Sequence, residues 1–518
     1  MKQLLHGLVL LLVCCTLAVG APGAGVRDAR DHGAKGDGLT LDTKAIQSAI
    51  DACAAAGGGT VQLTNGVFLS GTLRLRSHVT LCVATGATLR GSANIADYDS
   101  TTPQIDYLYR ARFTKSLLYA ERQEDIALTG GGTIDGQGQL FTAQKGDDGG
   151  RPYLIRFSEC RQVRVSGLTL RDAARWLSHY LACEDVNIEG VTIRSRIREN
   201  RDGMDIDSCN GVKIANCDIY TGDDSIVLKA TTGQPCRNVA VTNCTLSSTA
   251  SALKLGTESQ GGYTDITFDH CEVYDSRDGV SIEEVDGGTC ERVRVSNISM
   301  RNVKVPIFVR LGNRATPIPG RPKPGMGRMR DITITDVQAT AAGSTGCSIT
   351  GLPGHPVEHV SLSNIRISFA GGGKPHDAAR VVPELEHAYP KGEMFGALPA
   401  YGLYARHVSG LQLHNLELAF EKAGARPALI ADDVSDLDLF ALRAQGAPGA
   451  AELLRLINVR GALLHGCRLS AAVEAFVRIA GAASAQIKFS GNDLSAAKQA
   501  VVKAEDVPAG AVSVEAAK

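Results

Sequence analysis

Three aspartates in two short strings are the residues of this chain best suited to acid and base chemistry. The first lies in Asn200-Arg201-Asp202-Gly203-Met204-Asp205-Ile206-Asp207, and the other two follow in Thr221-Gly222-Asp223-Asp224-Ser225. If these strings occupy neighbouring turns of a repeating fold, Asp202, Asp223 and Asp224 converge on one surface. Three carboxyl groups held together repel when all are ionised, so at least one pKa rises. Glycoside hydrolysis uses that combination: a protonated carboxyl serves the leaving oxygen and a carboxylate activates water. Asp and Gly are also ordinary turn formers, and spacing alone leaves both readings open.

A repeat has to position these residues. Strings of one shape begin at Val186, Val212, Val239, Ile266 and Val293, with starts 26, 27, 27 and 27 residues apart. Further copies begin near Ile126, Val163, Ile332, Val360, Leu411, Leu437, Ala462 and Ile487. Alternation of apolar and polar residues within each copy predicts a short strand, and such a strand every 26 or 27 residues predicts a solenoid whose coils bury their faces on one another. No amphipathic helix recurs between copies, so leucine-rich and helical repeats are excluded and the expected fold is an all-β parallel β-helix. Thirteen coils at roughly 4.8 Å per strand make a rod on the order of 60 Å long.

Columns of identical residues support the stacking. Cys160, Cys183, Cys209, Cys236, Tyr263 and Cys290 stand three residues before the strand starts, and Cys217, Cys244 and Cys271 five after them. Asn216, Asn243, Asn297, Asn364 and Asn415 share another column, where amides can bond from coil to coil. Eight of the twelve cysteines beyond residue 24 therefore sit where a thiol acts as small apolar filler, with disulfides as the alternative in an exported chain. No paired Cys-x-x-Cys spacing suggests a metal, and no metal or other cofactor is expected.

The ends and the bulk composition complete the outline. Lys2, the apolar run Leu8 to Val19 and the small residues Ala18, Gly20 and Ala21 predict a secretory signal over residues 1–24, leaving 25–518 as one β-helix domain, secreted to the periplasm or beyond. Asp42 followed by Ala45, Ile46, Ala49, Ile50 and Cys53 predicts an N-capped helix covering the first coil. A long insert spans 371–402, and 437–518 reads as degenerate, Ala-rich coils. With 55 acids against 54 bases, a net charge of -1 and 44% hydrophobic residues, the chain can fill a large core. That balance gives no electrostatic basis for nucleic-acid or membrane binding, and the mature chain is expected to be a monomer.

Several motifs taken together resemble glycoside hydrolase family 28, the polygalacturonases. They are Asp31-His-Gly-Ala-Lys-Gly-Asp-Gly-Leu-Thr-Leu-Asp-Thr-Lys-Ala-Ile46, the Gly130-Gly-Gly-Thr-Ile-Asp-Gly136 turn, Asn200-Arg-Asp202-Gly and Gly222-Asp223-Asp224, in order from about Val26 to beyond Arg310. The resemblance implies a secreted right-handed single-stranded β-helix of the pectin-lyase-like kind, hydrolysing pectic poly- or oligosaccharides with inversion and without metal. It also implies that Asp224 is the general acid, with Asp202 and Asp223 deprotonating water. An inverting pair is ordinarily separated by about 6.5–9.5 Å.

This chain departs from the family at two places. Ala250-Ser251-Ala252 stands where the family has Gly-His-Gly, and Ser281 and Glu283 stand where it has Arg-x-Lys. Substrates of uronic acid or rhamnogalacturonan type are therefore expected in preference to plain homogalacturonan. Lys254, Arg277 and Arg310 are the candidate replacement cations, Glu258 and Glu283 candidate acceptors of sugar hydroxyls, and Trp176, His179 and Tyr401 candidate walls for a sugar face. If the insert closes one end of the groove, cleavage proceeds from chain ends. A β-helix lyase with a Lys or Arg base, often with Ca2+, and a non-catalytic carbohydrate-binding solenoid are the alternatives.

Overall fold

The computed structural model describes residues 25–514 except 111, 142–149, 198–199, 447–449 and 470, so the signal expected over 1–24 lies outside the described residues. One coil shows the plan. Glu184–Glu189, Thr192–Ser195 and Met204–Asp207 are three short strands, each paired in parallel with its counterparts one coil back and one coil forward. Inward residues such as Val186, Ile188, Ile193, Met204 and Ile206 form one continuous core along the rod. The chain is thus a parallel β-helix with three faces.

The sequence repeat is the register of the first face. Ile126 pairs with Val163, and the column continues through Val186, Val212, Val239, Ile266 and Val293. It runs on through Ile332, Val360, Leu411, Leu437, Ala462 and Ile487. Beyond those thirteen copies the ladder extends at both ends. Val512 joins Ile487, while Leu128 is preceded by Leu81, Val61 and Arg27. A long segment between the strands Ala87–Gly91 and Ser116–Glu121 breaks the period and hides these first coils from a repeat search.

The asparagine column has a backbone reason. Asn216, Asn243, Asn297, Asn364 and Asn415 all turn the corner between first and second face with φ between 51 and 56°, a left-handed conformation that asparagine tolerates well among residues with a Cβ. Their amides bond along the rod, Asn415 to Asn364 at 2.9 Å and Asn297 to the Asp269 carboxylate at 2.8 Å. Inside, the twelve cysteines from Cys53 onward are free thiols, eleven of them buried.

The helix Thr43–Ala55 covers the first coils with Ile46, Ala49, Ile50 and Cys53 buried. Asp42 does not cap it. Its carboxylate instead accepts the backbone N–H groups of Lys35 and Gly36, at 2.7 and 2.9 Å, tying down the preceding loop. On the third face, the segment bearing Tyr107, Tyr109 and Phe113 covers the N-terminal part, and the insert between Gly371 and Leu403 covers the C-terminal part. Among the described residues no helix is long and apolar enough to cross a membrane.

Candidate active site

The two aspartate strings form the same corner in successive coils, where the second strand passes into the third. Asn200 sits at φ 56°, and Gly203 lies so close to the next coil that a Cβ there would meet the Ser225 carbonyl oxygen at 2.5 Å. That close approach brings carboxylate oxygens of Asp202, Asp223 and Asp224 all within 4.8 Å of one another. Asp223 accepts the N–H groups of Asn200 and Asp224, each at 3.0 Å, through different oxygens. Asp224 accepts Ser251 N–H at 2.9 Å through one oxygen and the Lys254 ammonium at 3.0 Å through the other. Asp202 and Asp224 are buried, whereas Asp223 keeps part of its surface in solvent.

The surroundings shift the three acids in opposite directions. Burial, then the neighbouring Asp223, pushes the Asp202 carboxyl well above the usual range, and burial, then Asp224, raises Asp223. Burial also pushes Asp224 upward, but Lys254, Lys229 and the Ser251 N–H together outweigh it and hold Asp224 below its ordinary value. Asp224 is thus the one of the three whose charged form the surroundings favour, while they disfavour the charged forms of Asp202 and Asp223. Three carboxylates at this spacing would also suit a divalent cation. Here a buried ammonium already supplies that charge, and a metal would have to displace it.

Lys254 and Glu283 face this group from the next coils. Glu283 lies 3.8 Å from Lys254 and accepts Ser281 Oγ at 2.8 Å and Thr257 Oγ1 at 3.0 Å, and burial pushes it up to about 7. A second cation, Lys229, sits 3.1 Å from Glu258, 3.7 Å from Asp205 and 4.8 Å from the centre of the Trp176 ring. Glu258 is held down to about 2, burial being outweighed by Lys229 and Arg314. Tyr109 packs on Trp176 beside this pair, and the ring centre of Tyr389 in the insert lies 5.7 Å from Lys254 and 5.9 Å from Arg314. Tyrosines from two separate covering segments thus approach the same few coils, Tyr389 with more than half of its surface exposed.

Several residues expected to touch substrate do other work. Lys254 is paired with the Asp224 carboxylate at 3.0 Å, and Arg277 is bound to Asp278 at 2.7 Å. Arg310 is buried and donates to the Gly351 and Glu384 carbonyls at 3.1 and 2.6 Å, so it pins the insert down. His179 is fully buried, 3.2 Å from Asp207 and stacked on Tyr153, and Trp176 packs among Tyr109, Phe113 and Tyr153. Tyr401 points into the solenoid against Phe369 and Phe420, its hydroxyl on the Gln445 carbonyl at 2.8 Å. Lys229, Asp205, Tyr109 and Arg314 were not singled out from the sequence. Alternation in Met204–Asp207 and Ile226–Lys229 does put Asp205 and Lys229 on the outer side, and that was the available signal.

These buried acids set a pH dependence for stability. Burial raises Glu283 to about 7 and Glu284 to about 8. Between the ordinary carboxylate value and those values the folded state binds more protons than the unfolded chain, so stability falls as pH rises. Glu258 acts oppositely, losing its contribution as pH falls toward 2. The thermal midpoint should therefore peak near about pH 5 and decline toward about pH 8, and a midpoint rising across that interval would contradict the buried, protonated state of Glu283 and Glu284.

Known proteins share this sequence and architecture. The sequence model of glycosyl hydrolases family 28 matches residues 53–387. A probable polygalacturonase of Vitis vinifera is 30% identical over 370 residues, covering 66% of this chain and 74% of that one. The exo-poly-alpha-D-galacturonosidase of Dickeya chrysanthemi is 27% identical over 404 residues, with 65% and 66% covered. In fold, the exopolygalacturonase of Thermotoga maritima superposes with a TM-score of 0.61 at 21% identity, over 76% of this chain and 92% of that one.

Proposed function

The chain belongs to glycosyl hydrolases family 28, and from that premise we propose that this pectin-degrading glycosidase cleaves sugars from the ends of pectic chains by a single displacement in which Asp223 is the proton donor. The observation that carries the role assignment is the contrast between two adjacent carboxyls. Asp224 has both oxygens occupied, by Lys254 and by Ser251 N–H, and stays ionised; Asp223 is raised and solvent-facing. An ionised, doubly engaged Asp224 makes a poor proton donor and a poor nucleophile. It is suited to orient and deprotonate a water, with Asp202 as the second group beside that water.

This differs from the roles the family resemblance implied, in which Asp224 was the acid. The separation differs too, because one oxygen from each carboxyl lies within 4.8 Å of the others, less than the usual inverting gap of about 6.5–9.5 Å. Unequal protonation lets the three groups approach, and Asp224's engagement with Lys254 argues against the covalent route that short separations ordinarily serve.

Support for action from chain ends comes from the covering segments. The segment bearing Tyr109 and the insert bearing Tyr389 come from opposite directions along the chain and both reach the coils of Lys229 and Lys254, so covering segments border the coils that carry the acids. The lyase alternative fares poorly, since a lysine base must lose its proton and both Lys229 and Lys254 are held well above their ordinary values by the surrounding acids, against the pull of burial. A purely binding solenoid leaves the unequal charge states of the triad without a role. Export, a location outside the cytoplasm and action as a single chain belong to the same proposal.

The test is product analysis. Homogalacturonan, rhamnogalacturonan and their oligomers should yield new reducing ends without unsaturated-sugar absorbance, indifferent to chelator, with one small product from the first time points and inverted anomeric configuration by proton NMR. Absorbance lost on chelation would make the protein a lyase, and a ladder of long early products would end the chain-end reading.

A further inference from the structure

Among the described residues of the aspartate triad, solvent reaches one side chain. Asp223, alone of the three, keeps part of its surface exposed at the corner between second and third strands. A polymer whose end is bound beside Asp223 has an open path across that corner. It then meets the outer side of the second strands.

That surface carries an ordered column. Arg194 pairs with Tyr220 and Tyr220 with Ser247; one coil on, Tyr274 pairs with Arg301. Arg196 folds over the column, its guanidinium 4.2 Å from the Tyr220 ring centre, donating to Ser247 Oγ at 3.1 Å and to the Asp275 carbonyl at 3.2 Å. The Arg301 guanidinium lies 5.7 Å from the Tyr274 ring centre. Arg194 and Arg301 hold exposed ion pairs with Asp218 and Asp275, whereas Arg196 has no carboxylate at ion-pair distance among the described residues. Residues in the column follow one another at roughly 4.8 Å, a spacing comparable to one pyranose unit.

We propose that this column is a second binding surface, outside the catalytic pocket, for an acidic polysaccharide. Carboxylates of the chain meet Arg194, Arg196 and Arg301, and sugar faces pack beside Tyr220 and Tyr274. Charge complementarity selects the occupant. Exposed pairs such as Arg301 with Asp275 are weak and exchange readily, while a guanidinium can hold a uronate carboxylate through two parallel bonds. A neutral polysaccharide would gain the ring contacts alone. The proposal rests on the pocket being one for a pectic chain end, since that is what directs the rest of the polymer over the corner.

The test uses Arg196→Gln and Tyr274→Ser, alone and combined, in the full chain. The combined variant should raise the apparent KM for polygalacturonate roughly fivefold and leave turnover of its di- and trisaccharides unchanged, which also certifies the fold. In the Asp223→Asn background, gels containing polygalacturonate should retard the parent protein and not the combined variant, and gels containing a neutral galactan should retard neither. Equal retardation of parent and variant, an equal KM change on short oligomers, or equal retardation by galactan would overturn the proposal. Retardation by polygalacturonate in a parent protein that hydrolyses no pectic oligomer would uphold the surface and remove the reading of the pocket.

Discussion

Asp223→Asn should lower kcat on natural pectic oligomers by about 10²–10⁴-fold, the range that loss of a general acid ordinarily costs. The loss should nearly vanish on an aryl glycoside whose phenolate departs without protonation. Asp224→Asn should be at least as damaging on the natural substrate and should stay damaged on the aryl glycoside, because a water still has to be deprotonated. The pair of substrates thus separates two adjacent residues that a single inactive variant would not. If Asp224→Asn were the one rescued by the activated leaving group, the acid would be Asp224 and the charge states drawn from the Lys254 contact would be wrong. Both substitutions keep side-chain volume, and an unchanged thermal midpoint would show that the corner has not rearranged.

Replacing Lys254 by Met has the second large consequence. The ammonium lies 3.0 Å from Asp224 with almost no solvent around either group, and removing one partner of a buried pair leaves an uncompensated charge. Asp224 then takes up a proton at neutral pH, so the acidic limb of kcat/KM should move upward by about one to three pH units. Activity at neutral pH should fall by about a hundredfold or more, with partial recovery as the pH is raised. Lys254→Arg should preserve the position of the limb. A lysine that clamped a substrate carboxylate would behave otherwise: KM for acidic sugars would rise, KM for neutral ones would not, and the limb would stay where it was. The pH profile therefore distinguishes a residue that tunes the base from one that recognises the sugar.

What could be read in the sequence and what could not follows from where each signal resides. The column from Ile126 to Ile487 is legible because every copy repeats the same alternation, and a strand that must bury one side on its neighbour has no freedom to lose it. The coils before it have the same strands, but the long segment after Gly91 destroys the interval. The aspartates are legible because a corner needs a compact backbone, and Gly203 and Gly222 mark it beside the acids. Trp176 and His179 pointed to a sugar wall, yet Tyr107, Tyr109, Phe113 and Tyr153 cover them. Those covering residues come from elsewhere in the chain, and no local pattern shows which outward residue a distant loop will bury. Lys229 was missed for the same reason. In sequence it ends an ordinary strand, and only the surrounding Glu258, Asp205 and Trp176 make it a buried charge.

The thiols distributed along the rod make its mechanics observable. Cys82 is partly accessible, Cys53 is on the buried face of the covering helix, Cys160 to Cys290 occupy the middle coils, and Cys467 lies near the far end. Each is shielded by its own coil and the adjacent one, so a thiol-directed alkylating reagent reads local opening without any engineered label. Peptide mapping after graded exposure would give a fraying profile along the rod. Early labelling of Cys53 and Cys467 with silent central thiols would mean unwinding from the ends inward; simultaneous labelling would mean that the whole stack opens as one unit.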